Sequence, residues 1–109
     1  MTADAGTLVR QYYDALDAHE YERLEALLTP AFVQHRPDRS FESRDAFVRF
    51  MREERPVPDT THELLAIVDG DETAAARGRV LDSGTVLFEF ADFFRFEDDR
   101  IHRLDTYAR

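Results

Sequence analysis

The chain has 109 residues, 43% of them apolar and 12% aromatic, which is enough for one core and too few for two. Its 23 acidic against 14 basic residues leave a formal net charge of -9, so the long-range field repels nucleic acid and anionic membrane surfaces and excludes both as partners. Cysteine is absent, which excludes disulfides, thiol catalysis and cysteine-ligated metal.

Residues 1–6 are expected to form a flexible N-terminal tail. A first helix is predicted over residues 7–19, with Thr7 as N-cap and Leu8, Tyr12, Ala15 and Leu16 at three- and four-residue spacing. A shorter helix over 20–28 presents Tyr21, Leu24, Leu27 and Leu28, and Thr29-Pro30 stops it. Residues 31–36 read as a short strand closed by Pro37-Asp38. Ser43 caps a third helix whose stripe is Ala46, Phe47, Phe50 and Met51, with Pro56 and Pro58 ending it. Four strands follow, over 62–68, 73–81, 85–97 and 100–108, separated by turn residues at 69–71, 82–84 and 98–99. This order predicts a single α+β domain in which a curved, mainly antiparallel sheet wraps around three N-terminal helices and encloses a pocket.

The strand at 85–97 holds the most telling pattern. Alternation places Phe88, Phe90, Asp92, Phe94 and Phe96 on one face. If that face is internal, burial raises the pKa of Asp92 and lets it act as a hydrogen-bond donor; alternatively an Arg or backbone groups satisfy it. The opposite face, with Leu87, Glu89, Ala91, Phe93 and Arg95, is the expected surface of a homodimer through the outside of the sheet.

Three segments, LVRQYYDALDA at 8–18, LLTPAFVQHRP at 27–37 and DFFRFEDDRI at 92–101, resemble the SnoaL-like and ketosteroid-isomerase-like branch of the nuclear-transport-factor-two-like superfamily. The resemblance covers nearly the whole chain and implies a cone-shaped α+β barrel. It also implies an oxyanion hole made by Tyr12 and a protonated Asp92. Where the isomerase pattern has a carboxylate base, before the proline of the first strand, this chain has Arg36 with His35 beside it. Arginine stays protonated and cannot act as that base.

His35 is the proton acceptor if the strand shifts by one residue or bulges before Pro37, although strict alternation sets it opposite Phe32, Gln34 and Arg36. Arg36 grips a substrate carboxylate, pairs with Asp92, or belongs to a solvated turn with Asp38 and Arg39. Phe50 and Met51 line the pocket with Phe88, Phe90, Phe94 and His102, whereas His19 and His62 are assigned no role. Neither a metal nor a cofactor is expected, since no ligand spacing or phosphate-cradling glycine loop is present.

The reading is of a cofactor-independent isomerase, cyclase or lyase that takes a small apolar carbonyl compound. Its rival is a non-catalytic ligand-binding or dimerisation module of the same fold. The absence of lysine beside this acidity suggests adaptation to high salt. A cytoplasmic location is expected, because no apolar stretch approaches the ~18 residues of a membrane span and residues 1–6 lack a secretory pattern.

Overall fold

Asp4, not Thr7, caps the first helix. Its carboxylate accepts from the Thr7 amide at 2.9 Å and the Thr7 hydroxyl at 2.8 Å, so α1 runs Ala5–Asp17. An acid at this position satisfies an orphan amide and complements the positive end of the helix dipole. The computed structural model describes residues 4–55 and 57–109. Residues 4–6, expected in the tail, therefore form the cap and the start of α1, while 1–3 and the predicted stop at Pro56 lie outside the described residues.

Helix α2 (Tyr21–Ala26) ends sooner than its apolar spacing suggests, because Leu28 already begins β1 (Leu28–His35). Thr29-Pro30 lies inside that strand instead of before it. The ladder explains why proline is tolerated there: β1 runs parallel to β6 (Arg100–Ala108), pairing Leu28 with Ile101 and Val33 with Arg103, and its register shifts between Leu28 and Val33. An irregular stretch does not need every backbone donor.

Arg36–Arg39 turns the chain into a two-residue strand, β2 (Ser40–Phe41), which the sequence pattern did not reveal. Ser43 caps α3 (Arg44–Arg49) as expected, accepting from the Ala46 amide at 3.1 Å. The predicted third helix then changes character, continuing as a π-helical turn over Phe50–Glu54. π-turns are frequent at functional sites, and this one presents Phe50 and Met51 to the interior.

Strands β3 (Thr60–Asp69), β4 (Thr73–Asp82), β5 (Thr85–Glu97) and β6 complete a six-stranded sheet in the order β2-β1-β6-β5-β4-β3. All neighbours are antiparallel except β1 and β6. Ser83-Gly84 and Asp98-Asp99 have positive φ at both residues, the conformation that matches the twist of a two-residue hairpin. Register shifts interrupt β3–β4, β4–β5 and β5–β6 near Leu65, Leu87 and His102, and such bulges bend strands.

The curled sheet packs on the helices around Val9, Leu24, Leu28, Phe32, Phe47, Ile101 and Leu104, all essentially inaccessible. No helix among the described residues is long and apolar enough to cross a membrane.

Gly78 permits the tightest approach in the sheet. A Cβ there would press on the Glu63 carbonyl oxygen and stand 2.9 Å from the Phe90 ring. Gly78→Ala is expected to destabilise the protein by about 1–3 kcal/mol, measurable as a lower urea midpoint with an unchanged slope.

Candidate active site

Helix α1 brings two adjacent tyrosines into the interior, both 2% exposed. Tyr12 lies near-parallel to Phe47 of α3, centroids 6.4 Å apart, and edge-on to Phe94 of β5. Tyr13 leans across Phe90 and the His62 ring. Together with the π-turn and the concave face of the sheet they enclose a cavity of about 240 Å³. That is below the roughly 300–1,000 Å³ of pockets for drug-sized ligands, so it suits a small molecule.

Asp92 forms part of the wall, 5% exposed. The Tyr13 hydroxyl donates to its Oδ2 in a short hydrogen bond. The Thr106 hydroxyl donates to its Oδ1 at 2.5 Å, and Gln34 Nε2 donates to Thr106 Oγ1 at 2.9 Å. The four groups form a chain from α1 through β5 and β6 to β1.

Burial pushes the Asp92 carboxyl above its ordinary value, against the Thr106 and Tyr13 hydrogen bonds and the positive fields of His62 and Arg36. Burial and the Asp92 charge push both tyrosines up as well. Their phenols therefore remain donors.

Beside Tyr13, His62 near the start of β3 lines the cavity and is held by Asp17 at the end of α1. Asp17 Oδ1 is 2.6 Å from His62 Nδ1, and Oδ2 accepts from the His62 backbone amide at 2.9 Å. At the rim, the Arg36 guanidinium lies 5.8 Å from the Phe50 ring centroid, with its Nε 3.5 Å from Asp38. Arg55 donates to the Pro58 carbonyl at 2.7 Å. Gln34 Oε1 and Arg55 Nε are buried without a partner among the described residues. Among those residues, no group of three or more acidic or histidine side chains is placed to hold a metal ion.

The SnoaL-like domain model matches residues 9–104. The chain belongs to the SnoaL-like family. Similar solved structures include a candidate ketosteroid isomerase from Kribbella flavida DSM 17836, at TM-score 0.84 and 20% identity, covering 94% of this chain and 76% of that one. An NTF2-like protein of unknown function from Cytophaga hutchinsonii aligns at TM-score 0.85 and 13% identity over 100% of this chain and 93% of its own. A candidate polyketide cyclase from Sinorhizobium meliloti aligns at TM-score 0.79 and 20% identity over 92% and 93%. No curated protein sequence matches the chain. At these identities the likeness is one of fold.

Within this SnoaL-like domain, Asp92, Arg36, Phe50 and Met51 line the cavity as expected. The tyrosine bonded to Asp92 is Tyr13, not Tyr12, although Tyr12 also reaches the wall. His35 is not there: no bulge turns it inward, and it stays on the outer side with Nδ1 3.6 Å from Asp105 and 3.5 Å from Arg103. His102 is also turned outward, bonded to Thr29 and 3.6 Å from Glu97. The reason is the bulge on β6, which lets Ile101 and Leu104 both point inward and leaves His102 as the extra residue. Phe90 and Phe94 are core residues behind the two tyrosines and do not line the cavity. Phe88 stands at the mouth, 37% exposed, beside the bulged Leu87.

Sequence reading missed four contributors to the site: Tyr13, Thr106, Gln34 and the Asp17–His62 pair. Gln34 was legible in part, since it alternates with Phe32 and Arg36. An acid four residues after Tyr13 on the same helix stripe is the unused signal that leads to Asp17.

Proposed function

We propose that the protein is a cofactor-independent enzyme that stabilises the enolate of a small apolar carbonyl compound, as an isomerase, cyclase or lyase. One observation supports this above the others: a buried Asp92 with a raised pKa, bonded to Tyr13 at the wall of an apolar cavity. With Asp92 protonated, the pair holds two protons and spends one in their mutual hydrogen bond. The other is donated to an oxygen in the cavity. A donor of this kind, placed where negative charge develops, lowers a barrier by about 3–4 kcal/mol. The names of two similar structures, a candidate ketosteroid isomerase and a candidate polyketide cyclase, fit chemistry at a carbon next to a carbonyl.

Exchange of the α-protons of cyclohexanone in D₂O, followed by proton NMR, tests the reading. The wild type is expected to accelerate exchange beyond buffer, and Asp92→Asn to lose the acceleration. The second reading, a binding module, draws on Arg36 standing where the isomerase pattern has its base. It predicts that 2-naphthol binds while exchange stays at the buffer rate.

We also propose a homodimer through the outer sheet face. Val68, Ala75 and Phe93 lie in one cross-strand row that ends at Asp105. Phe93 is 50% and Tyr107 60% exposed, and their rings meet edge-on at 5.8 Å. Arg77, Arg95 and Arg103 border this patch with Asp105, so a two-fold copy can set cations against carboxylates. Sedimentation equilibrium is expected to give twice the chain mass, reduced to one chain mass by Phe93→Glu. A wild type that stays at one chain mass contradicts the dimer.

A further inference from the structure

We propose that His62, positioned by Asp17, is the proton acceptor of this cavity, an assignment that rests on the enolate-stabilising reading above. The geometry has three parts. Asp17 follows Tyr13 by four residues on α1, so one helix stripe delivers both the Asp92-bonded phenol and the carboxylate that grips His62. Asp17 holds His62 at two points, the ring Nδ1 at 2.6 Å and the backbone amide at 2.9 Å. A carboxylate can only accept, so Nδ1 bears the proton and the Nε2 lone pair is left for a cavity occupant. The His62 ring centroid is 5.0 Å from that of Tyr13, which sets base and oxyanion donor on adjoining walls of one small cavity.

The other histidines are poor alternatives. His19 faces Asp59 at 3.7 Å with a 38% exposed side chain, and His35 and His102 lie on the outer side of the sheet.

In the step, Nε2 takes the proton from the carbon next to the carbonyl group. The C–H electron pair becomes the C=C bond, and the carbonyl π pair moves to the oxygen facing Tyr13 and Asp92. His62 then returns the proton to the same carbon or, in a conjugated substrate, to the γ-carbon. No oxidant or co-reactant is required. Asp17 is a positioning residue: it fixes the tautomer and stabilises the imidazolium that forms. The titratable and charged groups that touch His62 or share its cavity are Asp17, Tyr12 and Tyr13 from α1, Arg36 from the turn after β1, Arg55 after the π-turn and Asp92 from β5.

The test is cyclohexanone α-exchange in D₂O, with 2-naphthol binding as a separate check that the cavity is intact. His62→Gln is expected to slow exchange about 10²- to 10⁴-fold and to bind 2-naphthol within threefold of wild type. Added imidazole should restore exchange in His62→Ala. Asp17→Asn should lower kcat and change the pH profile with little effect on KM, which a loss of stability alone would not do. If His62→Gln exchanges at the wild-type rate while Asp92→Asn does not, the base assignment is overturned and the oxyanion reading survives. If wild type is no faster than buffer, both are overturned.

Discussion

Tyr13→Phe is expected to slow cyclohexanone exchange about 10²- to 10³-fold, whereas Tyr12→Phe should cost less than about tenfold. The two side chains are neighbours in sequence and equally buried, so a general effect of removing a phenol from the core cannot separate them. Hydrogen bonding can. Only Tyr13 donates to Asp92, while the Tyr12 ring is wedged between Phe47 and Phe94. Removing the Tyr13 hydroxyl leaves Asp92 with Thr106 as its remaining hydrogen-bonded side chain and deprives a bound oxyanion of a donor. Equal losses in the two variants would mean that the tyrosines act by packing alone.

Asp92→Asn should lower exchange about 10²- to 10³-fold and at the same time make the protein more stable than wild type at neutral pH. The sign follows from linkage. The folded-state pKa of Asp92 is raised above its unfolded value, so the unfolded chain releases this proton first. The stability contributed by the protonated form is complete below the unfolded pKa, and it is lost as pH rises through the folded one. Asn stays neutral throughout and can still accept from Thr106. The stability difference between variant and wild type should therefore widen in the variant's favour as pH climbs from about 4. Urea midpoints measured at several pH values check this, and a gap that narrows with rising pH would contradict a raised Asp92 pKa.

How far the sequence could be read is clearest along the β5–β6 hairpin. Alternation and four phenylalanines correctly set Asp92 on the inner face, because burial of an aromatic strand face outweighs the cost of one carboxyl that finds partners. Its cross-strand partner could not be read. Continuing the pairing of Glu97 with Arg100 and Phe96 with Ile101 without interruption would set Asp92 against Asp105. The bulge at His102 shifts the register by one, so that Thr106 meets Asp92 and Asp105 meets Phe93. A hydroxyl donor thereby replaces a second carboxylate, and Leu104 meets Phe94 on the inner face. Bulges depend on how the whole sheet bends, which no local pattern encodes.

Helix α1 shows the same limit in another form. Spacing selected Tyr12 with Leu8 and Leu16, but the burying surface is wide enough to cover Val9 and Tyr13 too. The Asp17–His62 pair joins residues 45 positions apart. Its partners become visible to each other only once β3 has folded back along α1.

The most direct measurement is a crystal structure with 2-naphthol bound, since its oxygen mimics that of an enolate. The ring is expected inside the cavity against Phe50 and Met51, with its oxygen within about 2.5–2.8 Å of whichever of the Tyr13 hydroxyl and the Asp92 carboxyl does not donate to the other. A naphthol oxygen turned to the solvent mouth near Phe88, or paired with Arg36 while Tyr13 and Asp92 remain bonded only to each other and Thr106, would contradict it.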